Sequence, residues 1–248
     1  MAVALGGGGA FGIAFHLGIS DALAEAGMPV HHSPMIGLSA GSYAAAALVT
    51  GTPLDEIAEA WRYVGRRTGR GRLIRGIDIT ERVFGNARDA RVTGVALRVP
   101  ALRRVRVDGG QHQLADVVAA SSSPWGMAHG HVVAGRPLYD AGLVSNTAAD
   151  LAPRADRLLV LAPLARGVLG RQGLLWEGRL LHEVTRWRAR HRGTVEVVRP
   201  SPEVVAAGGR TWAQIMDMSV AQPTYAAAFR QGRELADRLA PATLQRAS

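Results

Sequence analysis

The sequence predicts an α/β protein built on a parallel sheet. Short apolar runs at Ala2–Leu5 and Ser33–Leu38 each pass through small residues into a helical pattern. The order strand, helix, strand, helix is complete within the first 51 residues. Further along, Arg157–Leu161 is another strongly apolar run, followed by a long amphipathic stretch.

Taken in order, Ala2–Leu5 reads as a buried strand that runs into Gly6-Gly7-Gly8-Gly9, a tight loop. A helix is expected over Ile13–Ala26, closed by Gly27, and a second over Ala40–Val49, stopped by Gly51. Leu54–Tyr63 is a third helix, and the arginines between Arg66 and Arg75 alternate with glycines as a surface loop. Val92–Val99 and Arg103–Asp108 read as strands, the latter ending in an Asp108-Gly109-Gly110 turn. Leu114–Ala120 is helical, and Ser121-Ser122-Ser123-Pro124 is a loop. His131–Val133 and Pro137–Tyr139 flank Gly135-Arg136 as a hairpin. The chain then gives helix Leu174–Arg190, strand Val195–Val198 and helix Thr224–Leu239.

Against roughly 150 residues per domain, the 248 residues without a repeat or a Pro/Ser-rich linker are expected to form one domain over 1–248. A composition 48% hydrophobic and 20% charged excludes wholesale disorder. With no cysteine there is no disulfide framework, thiolate metal site or cysteine nucleophile. The chain opens Met-Ala-Val-Ala-Leu with no secretory pattern and holds no run of ~18 apolar residues, so a cytoplasmic protein is expected. The net charge of +9, all from arginine, attracts anionic surfaces without choosing among them. An arginine-only, alanine-rich chain is also what GC-rich coding yields. Nucleic acid is not an expected partner, because neither zinc-ligand spacing nor an aromatic strand platform accompanies the charge.

Chemistry concentrates at two glycine-containing motifs. Gly37-Leu38-Ser39-Ala40-Gly41 is a G-x-S-x-G elbow with an apolar strand before it and a helix after it. Such a turn exposes a serine hydroxyl at a helix N-terminus, where the dipole and free N–H groups favour developing negative charge. The competing reading is a serine serving only as a helix cap. The loop Gly7-x-Gly9-x-x-Gly12 also fits a dinucleotide fingerprint, which requires an acid about 20 residues further on. That region is His31-His32-Ser33-Pro34, so an anion cradle, in an acyl-transfer enzyme an oxyanion hole, is the better reading. The serine needs a proton acceptor. An α/β-hydrolase would place a histidine late in the chain, but His129, His131, His182 and His191 all lack the right setting, and 57 residues follow His191. A carboxylate at the end of the hairpin, Asp140, is the alternative.

Gly7-Gly8-Gly9-Ala10-Phe11-Gly12, then Gly37-Leu38-Ser39-Ala40-Gly41, then Asp140-Ala141-Gly142, in that order, resemble the patatin-like phospholipases. Ala119-Ala120-Ser121 with Pro124, and Asp156–Val160, are similar too, so the resemblance covers most of residues 2–165, with 166–248 completing the fold. It implies a three-layer α/β/α sandwich and a lipid acyl hydrolase that needs no metal or cofactor. Ser39 would be the nucleophile and Asp140 the proton acceptor, with Gly7, Gly8, Gly9 and Ala10 around the oxyanion and Gly12, Gly37, Gly41 and Gly142 completing the motifs. Two departures stand out. Phe11 replaces the family's usual Arg or Lys, and Ala141 stands where glycine is common. If Ala141 had to adopt φ > 0, it would cost roughly 1 kcal/mol or more. The rival readings are an α/β-hydrolase esterase using a histidine such as His182, and a non-catalytic lipid- or acyl-binding protein on a degenerate hydrolase fold. Lipid is the expected partner, with peripheral contact to anionic membrane through the Arg66–Arg75 loop or the helix bearing Trp176, Leu180, Val184 and Trp187. Core packing is the competing role for that helical stripe.

Overall fold

A computed structural model describes residues 1–67, 76–126 and 128–239. Strands β1 (Ala2–Leu5), β2 (Met35–Leu38), β3 (Val92–Arg98), β7 (Arg157–Leu161) and β8 (Thr194–Val198) form a parallel run in the order β3-β2-β1-β7-β8. β4 (Arg103–Asp108) and β6 (Arg136–Asp140) pair antiparallel with β3, and β5 (His131–Val133) closes a hairpin with β6.

Both faces of the sheet are covered, which is why its central strands are apolar at every position rather than alternating. Along β1, Val3 and Leu5 enter one core while Ala2 and Ala4 enter the other. The first core is built with α1 (Gly9–Glu25), α2 (Ala40–Thr50), α5 (Leu114–Ser121) and α9 (Ala221–Leu239). The second is closed by α6 (Gly173–His191), whose Leu180, Val184 and Trp187 are buried. The architecture is therefore the expected three-layer α/β sandwich. Of the α6 stripe expected to meet lipid, Leu180, Val184 and Trp187 are therefore core residues, and Trp176 is half-buried against the first core.

Local chemistry explains the helix limits. The alanine run Ala44–Ala47 suits α2, and Gly51 ends it in the left-handed region at φ 71°. α1 begins at Gly9, four residues before Ile13. α3 (Leu54–Arg67) continues past Tyr63, so Arg66 and Arg67 belong to a helix rather than to the expected loop. The remaining arginines of that loop lie outside the described residues. Three helices escaped the sequence reading: α4 (Gly76–Phe84), α7 (Pro202–Gly208) and α8 (Trp212–Ile215). They are short, and α7 rests on a serine cap, with Ser201 Oγ accepting from Val204 N at 3.3 Å ahead of Pro202.

Candidate active site

Ser39 sits where β2 ends and α2 begins, with φ 52° and ψ −115°, a conformation costly for a residue with a side chain. The surrounding glycines are sterically required. A Cβ on Gly41 would stand 1.9 Å from the carbonyl oxygen of Leu5, so α2 could not lie against β1. The turn is tied down at both ends. Ser42 Oγ donates to the Ser39 carbonyl at 2.6 Å, and Ser39 N–H donates to Ser121 Oγ at 3.0 Å. Ser121, fully buried, donates in turn to the Val95 carbonyl at 2.8 Å. Its role as a brace was not legible, since a serine at a helix end reads first as a cap.

Strand register brings Asp140 to the serine. A strand has two edges. One edge of β3 is taken by β4 from Thr93 to Arg98, so β2 and β6 share the other. β2 leaves that edge at Leu38, opposite Val95, and β6 takes it up at once with Asp140 opposite Ala96. Strand register thus brings Ser39 and Asp140 end to end, close enough for the Ser39 side chain to bear on the Asp140 carboxyl. That carboxyl accepts Gly142 N–H at 2.7 Å. Burial pushes the Asp140 pKa up from the ordinary carboxylate value, while the Ser39 side chain and the Gly142 N–H oppose the shift.

Ala141 begins a 3-10 turn and is not among the residues at positive φ, so the strain expected there does not arise. A Cβ on Gly142, by contrast, would approach the Asp140 carboxylate to 3.0 Å. Phe11 is wholly buried and packs against Gly209 at the end of α7, where a Cβ would meet the ring at 3.0 Å. Its side chain serves the helical layer and does not present charge to the site.

The glycine loop places the start of α1 beside the elbow. The first N–H groups of a helix have no partner within it, so Gly8 at the cap, with Gly9 and Ala10 after it, carries the available donors. Gly7 departs from the expectation: its N–H donates to the Asn146 carbonyl at 3.1 Å and is not an oxyanion donor. Gly9 has φ 54°, and a Cβ there would meet the Ile215 carbonyl oxygen at 2.6 Å. Gly12 and Gly37 pack against α2, a Cβ meeting Ala40 Cβ at 3.0 Å and the Gly41 carbonyl at 2.5 Å respectively.

A buried carboxylate missed in the sequence holds this loop from behind. Glu183, on α6, accepts from Ser145 Oγ at 2.6 Å, Asn146 N at 3.1 Å, Thr147 N at 2.9 Å and Thr147 Oγ1 at 2.7 Å. Asn146 then receives Gly7. Position 183 reads from sequence as one more charge on a charged helix, and only the fold turns it inward. Arg104, ion-paired to Asp150 at 2.6 Å, lies 3.8 Å from the same carboxylate.

Among the described residues, Ser39 has no histidine partner. His182 is exposed on α6, and His131 lies on β5, as the hairpin reading expects, 2.8 Å from Asp116. His129 is exposed, while the His191 ring lies tilted against Trp187 with ring centroids 5.2 Å apart. His16, unremarked in the sequence, is buried with Nε2 2.8 Å from the Gly6 carbonyl, and burial lowers its pKa to about 4. It is therefore a neutral strut under the glycine loop at physiological pH.

No helix among the described residues is long and apolar enough to cross a membrane. A search of curated protein sequences finds no match. Among solved structures, the chain is similar to VipD from Legionella pneumophila, at 12% identity and TM-score 0.47, covering 96% of this chain and 66% of that one. Residues 3–94 match the family described as Patatin-like phospholipase. The chain is thus similar to the patatin-like phospholipases over the segment that holds its glycine loop and serine elbow, as the motifs implied.

Proposed function

We propose that the protein is a serine acyl hydrolase that cleaves lipid or other carboxylic esters through Ser39 and Asp140, on a single domain spanning the chain. The placement of Ser39, on a strained elbow at a helix N-terminus, beside a desolvated Asp140 carboxyl carries this reading. Asp140 takes the serine proton as Ser39 Oγ attacks the ester carbonyl. The N–H groups of Gly8, Gly9 and Ala10 stabilise the oxyanion of the tetrahedral intermediate. Collapse of that intermediate breaks the C–O bond, and Asp140 returns the proton to the leaving alcohol. Water, deprotonated by the same carboxylate, then attacks the acyl-serine; the acyl–Oγ bond breaks, the acid leaves, and Asp140 returns the proton to Ser39 Oγ. No metal or cofactor enters the sequence of steps. Family resemblance supports lipid as the substrate class, and the positive charge supports a peripheral anionic membrane as the place of encounter. A panel of esters of increasing acyl length, run on wild type and Ser39→Ala, tests the reading. Hydrolysis should require Ser39 at every length, and activity retained by Ser39→Ala would refute it.

A further inference from the structure

We propose that the outward arc of α6, with the groove beside it, is the surface on which the protein rests on an anionic bilayer, adjoining the mouth of the site. The inference deepens the hydrolase reading, on which its purpose rests, by naming the docking residues.

The observation is an exposed face that mixes leucine with cations. Leu174, Leu175 and Leu181 are 56%, 74% and 52% exposed, on the side of α6 opposite its buried stripe. At 100° per residue, these leucines share an arc of about 160° with Arg179, His182 and Arg186. The carboxylates of the helix face elsewhere: Glu183 is buried, and Glu177 is paired with Arg199 at 2.5 Å. Arg186 and His182 have no hydrogen-bond or ion-pair partner among the described residues. Alongside runs a cavity of about 730 Å³ lined by Val144, Leu151 and Leu175 and by the cations Arg103, Arg179 and Arg186.

This face adjoins the site. Arg179 donates to the Leu143 carbonyl at 3.1 Å, and Leu143, itself 52% exposed, closes the 3-10 turn that follows Asp140. At the start of α6, Gln172 accepts from Trp212 Nε1 at 3.0 Å. Exposed Trp212 and Met216 continue the apolar rim to Gly9, whose Cβ position lies 2.8 Å from Met216 Sδ. Leucines flanked by arginines suit the boundary of a bilayer, where apolar side chains enter the acyl region and guanidinium groups bind lipid phosphates. Charge complementarity identifies the occupant as an anionic membrane; an acidic protein would offer the leucines no acyl layer.

The test uses the full chain carrying Ser39→Ala, which leaves vesicles intact, and sedimentation with vesicles of phosphatidylcholine alone or mixed with phosphatidylglycerol. Binding is expected only to the mixed vesicles, weakening as salt rises. Arg186→Glu, and separately Leu175→Ser with Leu181→Ser, should weaken it about five-fold or more. Arg157→Glu, the same charge change at the opposite end of the sheet, should bind as the parent does, with melting curves confirming that all variants fold. Equal binding by the α6 variants, an equal loss in Arg157→Glu, or failure to prefer anionic vesicles would overturn the proposal. In the Ser39-containing chain, the α6 variants should hydrolyse a short water-soluble ester at the wild-type rate. Absence of that hydrolysis in wild type, with vesicle binding intact, would refute the hydrolase reading and leave the docking surface standing.

Discussion

At Ser39 a backbone conformation costing on the order of 1–3 kcal/mol is maintained by the Ser121 hydroxyl on one side and the first turn of α2 on the other. Beside it, Asp140 is kept short of water, which raises its proton affinity and suits it to accept a proton from an alcohol. Asp140→Asn should therefore lower turnover by about 10²–10⁴-fold. The stability effect has the opposite sense. A carboxyl whose pKa is raised by folding contributes stability at low pH that is lost as pH rises through the raised value. Above the raised value wild type thus holds a disfavoured charge, and Asp140→Asn should melt no lower than wild type there, the comparison turning toward wild type as pH falls through it. Calorimetry across that range checks the sign. The same shift should displace the acidic limb of the pH–activity profile upward from the ordinary carboxylate value of ~3.9, with activity lost on acidification. A limb at the ordinary value would mean that Asp140 is not the base.

Among the elements, β3 organises the site, since β2 leaves one of its edges where β6 joins it. The strands themselves could be read from their apolar runs and turn residues, and Asp140 from its place at a hairpin end. Their meeting could not, because register between strands far apart in sequence is set by packing rather than by local pattern. Gly7 illustrates the same limit: its place in a glycine loop reads as a free donor, yet the Asn146 carbonyl, brought by another segment, occupies it. Glu183 lies behind that segment, and removing it strands four buried donors, while Arg104 keeps its pair with Asp150. Glu183→Ala should destabilise the fold by about 3–5 kcal/mol and lower turnover through the loosened glycine loop, as denaturation midpoints and steady-state rates would show. Gly41→Ala meets the Leu5 carbonyl directly, and the expected outcome is insoluble or unfolded protein. A folded, active Gly41→Ala would contradict the described contact between α2 and β1.

For the molecule as a whole, the layered fold follows from strands apolar on both faces, and two cores sandwich the sheet as that pattern requires. The two long C-terminal helices, α6 and α9, were legible as helices but not in their roles. α9 packs on α1 so closely that a Cβ on Gly18 would stand 2.6 Å from the Tyr225 carbonyl oxygen, and α6 supports the loop behind the site. The family match ends at residue 94, before Asp140, so the proposed dyad joins a segment that matches the family to one that stands on geometry alone. The most direct measurement is peptide mapping of a fluorophosphonate adduct in wild type, Ser39→Ala and Asp140→Asn, with ester turnover followed in parallel. The account predicts a single adduct on Ser39 in wild type, none in Ser39→Ala, and loss of nearly all turnover in a folded Asp140→Asn. An adduct on another serine, or an Asp140→Asn variant with most of its turnover intact, would contradict it.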